Sequence, residues 1–299
     1  MIASVFRKSR PVNFVLLAVI LLVGFVFSVL KLNTEPLSTS ILFNKGLIFL
    51  VVLYSIFIVD FIVKKNELAK QNSFTILIYT FLHLLFYNSF QDANIIISNV
   101  FILMALRRCI SLKSKLEVRK KIFDASIWIC VASLFDFWAI SFLVILILSI
   151  VFYASENFKN WLIPLVGFFT VLLIYYAGYF LFMDELYSFE IPKVACINLM
   201  SQNGPYILIF LSLILIWGLI VFLTSMNQKK SALKKSFLLV IFTVIVGVGL
   251  FFLSDKNIVY LFFPISVIIS NLFQEIKNNL IEETLSTIIL LLIILNYVI

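Results

Sequence analysis

RRCISLKSKLEVRKKIFDASIWICVASLFDFWAISFLVILILSIVFY, residues 107–153, is the stretch on which the fold turns. Seven basic residues lie within 107–121, and the 32 residues that follow are apolar apart from Asp124, Asp136 and a few serines. Read as one helix interrupted by Asp136, residues 122–153 carry the chain to the far side of a membrane. Read as a hairpin that turns at Asp136, between Phe135 and Phe137, they bring it back to the side of the basic loop. Only the hairpin keeps Lys229, Lys230, Lys234 and Lys235 on that same side, so the excess of positive charge in cytoplasmic loops selects it.

The surrounding chain has the composition of a membrane protein. Apolar residues make up 63% of the 299 positions and charged residues 13%, with a mean hydropathy of +1.14, whereas soluble domains are nearer half apolar and a quarter charged. The length suits about ten or eleven helical spans with short connections and leaves no room for a separate soluble domain, so residues 1–299 read as one integral membrane domain. The bias toward Phe, Ile, Leu, Asn and Lys reads as the base composition of a genome. Arg7, Lys8 and Arg10 precede Pro11 and an apolar run to Leu30 that is too long for a signal-peptide core and has no cleavage site after it, so it reads as an uncleaved first span.

The hydropathy pattern predicts an all-α, polytopic transmembrane bundle with spans near 12–31, 44–63, 73–90, 93–106, 122–135, 137–153, 162–183, 204–226, 236–253, 257–273 and 284–298. With the N-terminus in the cytoplasm, 19 of the 23 Lys and Arg residues fall inside. Lys31, Lys45, Lys193 and Lys256 fall outside. Pro164 and Pro205 sit in first turns, and Pro264 falls within a span that it should kink. No GxxxG pair occurs, so close crossings of that type have no sequence support.

Several polar features invite a chemical reading. Spans 93–106 and 122–135 have 14 residues each, about 21 Å as helices against a hydrocarbon core of about 30 Å. Their basic inner ends hold them at the cytoplasmic headgroups, which sinks the outer ends bearing Asp92 and Asp136; the alternative for Asp92 is an ordinary polar turn. Intramembrane carboxylates are costly and therefore functional candidates. Glu35 lies on the first outer loop. Asp184 and Glu185 could ligate a hard cation, Mg²⁺ or Mn²⁺, though without the spacing of a dedicated site. Arg107, Arg108, Lys113, Lys115, Arg119, Lys120 and Lys121 either anchor orientation or lie on an anionic membrane surface. The single histidine, His83, shares a helix face with Tyr79 and Tyr87 and is expected to be buried and hydrogen-bonded. One histidine excludes metal sites that need several imidazoles. Asp60 is placed to pair with Lys64 at i,i+4. Cys109, Cys130 and Cys196 fall in an inner loop, a span and an outer loop, which excludes a disulfide framework. Nucleotide-binding and serine-hydrolase motifs are absent, and no nucleic-acid partner is expected.

Two segments, MIASVFRKSRPVNFVLL (1–17) and KKIFDASIWICVASLFDFWAISFLVIL (120–146), resemble an uncharacterised family of multi-span inner-membrane proteins from Bacteroidota. That likeness implies the bacterial inner membrane and brings no activity with it. More coarsely, the order of features is similar to membrane glycosyltransferases of the C superfamily, which use polyprenyl-phosphate sugars. This resemblance implies a catalytic carboxylate at Glu35 and a second polar site at Asp92. The first outer loop is shorter than theirs, holds one acid instead of a pair, and no large outer domain follows.

The expectation is therefore an outer-face transferase in which Glu35, Asp92 or Asp136 deprotonates an acceptor and Lys193 or Lys256 holds the donor phosphate. The rival is a non-catalytic membrane subunit or assembly factor that docks another membrane protein through residues 107–121 and 184–203. A transporter is disfavoured by the absence of paired Gly/Pro-interrupted spans. Orientation is testable directly: a cysteine at Ser188 should react with an impermeant maleimide from outside intact cells and one at Ser231 should not. The reverse pattern would overturn the topology.

Overall fold

The computed structural model describes residues 5–32, 39–183, 205–227, 229–276 and 279–298. They form eleven α-helices: α1 (Pro11–Leu32), α2 (Thr39–Lys65), α3 (Phe74–Leu85), α4 (Ala93–Ser111), α5 (Val118–Phe135), α6 (Leu143–Tyr153), α7 (Lys159–Met183), α8 (Pro205–Asn227), α9 (Ser231–Leu253), α10 (Val259–Glu275) and α11 (Asn279–Val298). Short 3-10 helices at Tyr87–Gln91, Phe137–Phe142 and Asp255–Ile258 lead into α4, α6 and α10, and a fourth at Leu112–Ser114 follows α4.

Side-chain bonds show which helix ends lie together. At one end Arg7 pairs with Glu282 and Lys70 with Glu275 at 3.4 Å. There Lys113 Nζ donates to the Asn66 carbonyl at 2.6 Å and Lys235 Nζ to the Phe152 carbonyl at 2.6 Å. At the other end Lys31 Nζ donates to the carbonyls of Asn296 and Tyr297 at 3.3 and 3.2 Å, and the Tyr87 and Tyr297 rings lie 4.8 Å apart. The helices thus alternate in direction, and the Lys235–Phe152 bond requires the turn at Asp136. All the basic clusters gather at the first end, which the positive-inside rule assigns to the cytoplasm.

Seven of these helical stretches are long and apolar enough to cross a membrane unaided; Phe74–Leu85, Phe137–Tyr153 and Val259–Glu275 are shorter. α5 has 18 residues but starts with Arg119, Lys120 and Lys121 and carries Asp124. Two of the shorter elements, α3 and α10, go to the centre. All 12 residues of α3 are buried, as is every residue of α10 from Val259 to Phe273. These two pack on each other, with Thr75 Oγ1 donating to Ser270 Oγ at 3.0 Å and the rings of Phe74 and Phe273 5.6 Å apart. A helix of 12 residues spans about 18 Å and would leave its end carbonyls in hydrocarbon if it faced lipid. The longer helices turn their apolar outer faces to lipid instead, α7 most of all, with Leu173 and Ile174 each 70% exposed.

Buried asparagines close the helix ends. Side-chain amides of Asn66, Asn160, Asn257, Asn271 and Asn296 donate to the carbonyls of Ile62, Ala154, Leu250, Leu68 and Leu85 at 2.8–3.1 Å, and Asn13 reaches Lys8 at 2.8 Å. Where water is scarce each such carbonyl needs an internal donor. The asparagine content therefore has structural work as well as a compositional origin.

Some expected boundaries move. α4 and α5 have 19 and 18 residues, not 14, because the helices continue through their charged inner ends. Cys109 consequently lies buried in the last turns of α4 instead of in a loop. α7 starts at Lys159, whose N–H is capped by Asn157 Oδ1 at 3.1 Å, so Pro164 falls beyond the first turn. Pro11 and Pro205 do open their helices.

Helices α5 and α7 cross closely without a GxxxG pair. A Cβ added at Gly167 would stand 1.9 Å from Ser126 Oγ and 3.2 Å from the Phe123 carbonyl, whereas one at Gly178 would meet nothing within 4 Å. Gly167→Leu should destabilise the protein by about 1–3 kcal/mol through overpacking, and Gly178→Leu by less than about 0.5 kcal/mol. Thermal unfolding in detergent distinguishes the two.

Candidate functional site

The inner ends of α4 and α5 are pinned together by Arg108 and Asp124 at 2.8 Å, an acid the span pattern had left without a role. From Arg108 to Asp92 is 16 residues along α4, a rise of about 24 Å. The stretch Ala93–Ser114 is itself long and apolar enough to cross a membrane, so a recess of Asp92 does not follow from helix length.

Asp136 occupies the break itself, half-buried between α5 and the Phe137–Phe142 turn. Its Oδ2 lies 2.7 Å from the Tyr260 hydroxyl, at the start of α10. That hydroxyl also lies 2.8 Å from Ser98 Oγ on α4, and Ser98 Oγ is 3.0 Å from the Ala132 carbonyl on α5. Three helices thus meet through one chain of polar contacts. The three contacts need three hydrogens and the two hydroxyls supply two. With Asp136 ionised, the carboxylate accepts from Tyr260 and from the Trp138 backbone N–H, and Ser98 must share its proton between two acceptors. With Asp136 protonated, Asp136 donates to Tyr260, Tyr260 to Ser98 and Ser98 to Ala132, and every contact is satisfied.

Asp92, partly exposed, faces a different neighbour, with the Lys45 ammonium of α2 within electrostatic reach. Glu35, Asp184, Glu185, Lys193 and Cys196 lie outside the described residues, as does the side chain of Lys256. The expected cleft of three carboxylates is thus described only at Asp92 and Asp136, and the expected cation pair is not described. Among the described residues no three His, Cys, Asp or Glu side chains cluster as metal ligands.

Next to Ser98, Asn99 begins a second polar group. Its amide donates to the Tyr79 hydroxyl at 3.2 Å, and Tyr79 donates to Ser55 Oγ at 3.1 Å. His83 departs from expectation: it is buried, but neither ring nitrogen has a hydrogen-bond partner among the described residues. The reason is its aromatic surround, with the rings of Tyr79 and Phe262 at 4.9 and 4.8 Å, while the Tyr79 hydroxyl is directed to Ser55 and Tyr87 packs against Tyr297. Asp60 pairs with Lys64 at 2.8 Å as expected. Tyr260 and Ser98, which sequence reading missed, carry only the faint signal of hydroxyls inside apolar runs.

At the inner end the basic loop is largely tied down. Arg107 lies over the Phe61 ring, 4.4 Å from its centre, Lys120 pairs with Glu117 at 2.8 Å, and Lys121 Nζ donates to the Ser111 carbonyl at 2.9 Å and to Ser114 Oγ at 2.6 Å. Burial lowers the pKa of Lys121, and Arg108 and Lys65 lower it further by repulsion. The exposed Glu117 carboxyl is held below its usual range by its bond to Lys120.

Buried short helices, lipid-facing long ones and charge gathered at one end define a polytopic α-helical membrane protein. Residues 8–299 match a family of unknown function, DUF6427, and the chain belongs to that family. No curated protein and no solved structure matches it.

Removing the Tyr260 hydroxyl takes from half-buried Asp136 its side-chain donor and leaves it only the backbone N–H of Trp138. Tyr260→Phe should therefore cost about 1–3 kcal/mol, and Asp136→Asn clearly less because the amide oxygen still accepts. Melting in detergent by size-exclusion chromatography reads both, and equal losses would remove the hydroxyl–carboxylate bond as the cause.

Proposed function

We propose that the protein is an inner-membrane transferase that takes a sugar from a polyprenyl-phosphate donor at the outer face, with Asp136 as general base. The observation that supports this reading is the proton count at Asp136, Tyr260, Ser98 and Ala132. A base is favoured when its protonated form is better bonded than its ionised one, and here one added proton completes the chain. In the step proposed, Asp136 removes the acceptor hydroxyl proton. The acceptor oxygen bonds to the anomeric carbon, the bond from that carbon to the phosphate oxygen breaks, and polyprenyl phosphate leaves with the electron pair. Asp92 and Glu35 are the further candidate carboxylates, Lys193 and Lys256 the phosphate-binding candidates, and Asp184 with Glu185 the candidate pair for Mg²⁺ or Mn²⁺.

The rival reading, a subunit or assembly factor, draws on the same bond: Asp136 ties α5 to α10, which is a structural task in itself. Asp136→Asn separates the two. Membranes containing the variant at normal abundance should transfer labelled sugar from a polyprenyl-phosphate donor at least about 100-fold more slowly than wild type. Undiminished transfer in Asp136→Asn, Asp92→Asn and Glu35→Gln would sink the transferase, and a stoichiometric protein co-purifying with the wild type would then favour the subunit.

A further inference from the structure

Of the seven cations between residues 107 and 121, Arg107, Arg108, Lys113, Lys120 and Lys121 are engaged by the protein itself. Lys115 and Arg119 are exposed and make no ion pair or side-chain hydrogen bond among the described residues. Both line one cleft of about 570 Å³ at the inner end, between the start of α5 and the turn joining α6 to α7. Its far wall carries Tyr153, Glu156, Asn157 and Asn160. Glu117 also lines it but is taken by Lys120, which leaves Glu156 as the acid facing the two free cations.

The level of this cleft is marked by its surroundings. Leu116 is 69% exposed and Phe158 74%, with Trp161 following at the start of α7. Large apolar and aromatic side chains beside cations belong at the boundary between headgroups and hydrocarbon. Lys115 and Glu117 adopt the left-handed region, with φ of 55° and 47°, uncommon for residues other than glycine. Leu116, between them, is turned out of the cleft and exposed, while Lys115 and Glu117 line it.

We propose that this cleft is a phospholipid site. Lys115 and Arg119 hold the phosphodiester of one membrane phospholipid, its chains descend past Leu116, Phe158 and Trp161, and Glu156 faces a head group that carries a hydrogen-bond donor. An ammonium or a glycerol hydroxyl meets that requirement, and a choline does not. The proposal is independent of any transferase activity at the opposite end.

The test uses the full chain purified in detergent, with phosphatidylglycerol, phosphatidylethanolamine or phosphatidylcholine added and bound lipid counted by native mass spectrometry. Wild type should retain the first two. Lys115→Gln/Arg119→Gln should bind them roughly tenfold more weakly, with its melting temperature unchanged because both side chains are exposed, and Lys230→Gln/Lys234→Gln should behave as wild type. Equal retention by wild type and the Lys115/Arg119 variant would overturn the site. Phosphatidylcholine retained as well as the other two would overturn the role of Glu156. Release of bound lipid by soluble glycerol phosphate would show a site for free phosphate esters and overturn the lipid assignment.

Discussion

The packing of α3 against α10 is the contact on which the rest of the molecule depends. Both helices are buried on all sides, and α3 is too short to satisfy its end carbonyls in contact with lipid, so each is enclosed by protein along its length. The enclosure dictates the remaining arrangement. α1, α2, α8, α9 and α11 pass around the pair, the α4–α6 unit closes another side, and α7 leans on α5 at the edge. The same requirement places asparagine amides at helix ends, because a carbonyl there meets neither water nor the next turn. The polar chain through Tyr260 and Ser98 belongs to this logic too, since it is how α10 is fixed to α4 and α5.

How far the sequence speaks depends on which force shaped each residue. Hydropathy and charge alternation give the eleven helices, their directions and the turn at Asp136, because bilayer thickness and the inside preference of Lys and Arg act on composition alone. They do not say which apolar residues face lipid and which face protein. α3 and α7 look alike by hydropathy, yet one is enclosed and the other is the most peripheral helix. Helix ends are also misjudged wherever charged residues continue the helix, as Arg107–Ser111 and Val118–Lys121 do. Asn257 and Asn296 look like compositional noise until the carbonyls they cap are seen.

The candidate site is legible in half. A carboxylate between two phenylalanines stands out in any reading, so Asp136 is found. Its partner Tyr260 lies 124 residues away, and no local pattern links the two. The basic loop shows the converse: seven like charges read as a uniform surface, whereas folding consumes five of them and leaves Lys115 and Arg119 facing one cleft. α4 connects these two regions, carrying Ser98 toward its outer end and Arg107 and Arg108 at its inner end.

The enclosure of α3 has a consequence for synthesis. Its principal neighbour, α10, begins 174 residues after α3 ends, so the ribosome makes most of the protein while α3 still lacks the surface that covers it. During that interval a helix too short for the bilayer has to be kept from lipid by provisional neighbours, with α1, α2 and α4 at hand and α8 arriving late. Premature termination anywhere before α10 therefore yields a product with an unfilled centre, a form that quality-control proteases of the membrane are suited to remove.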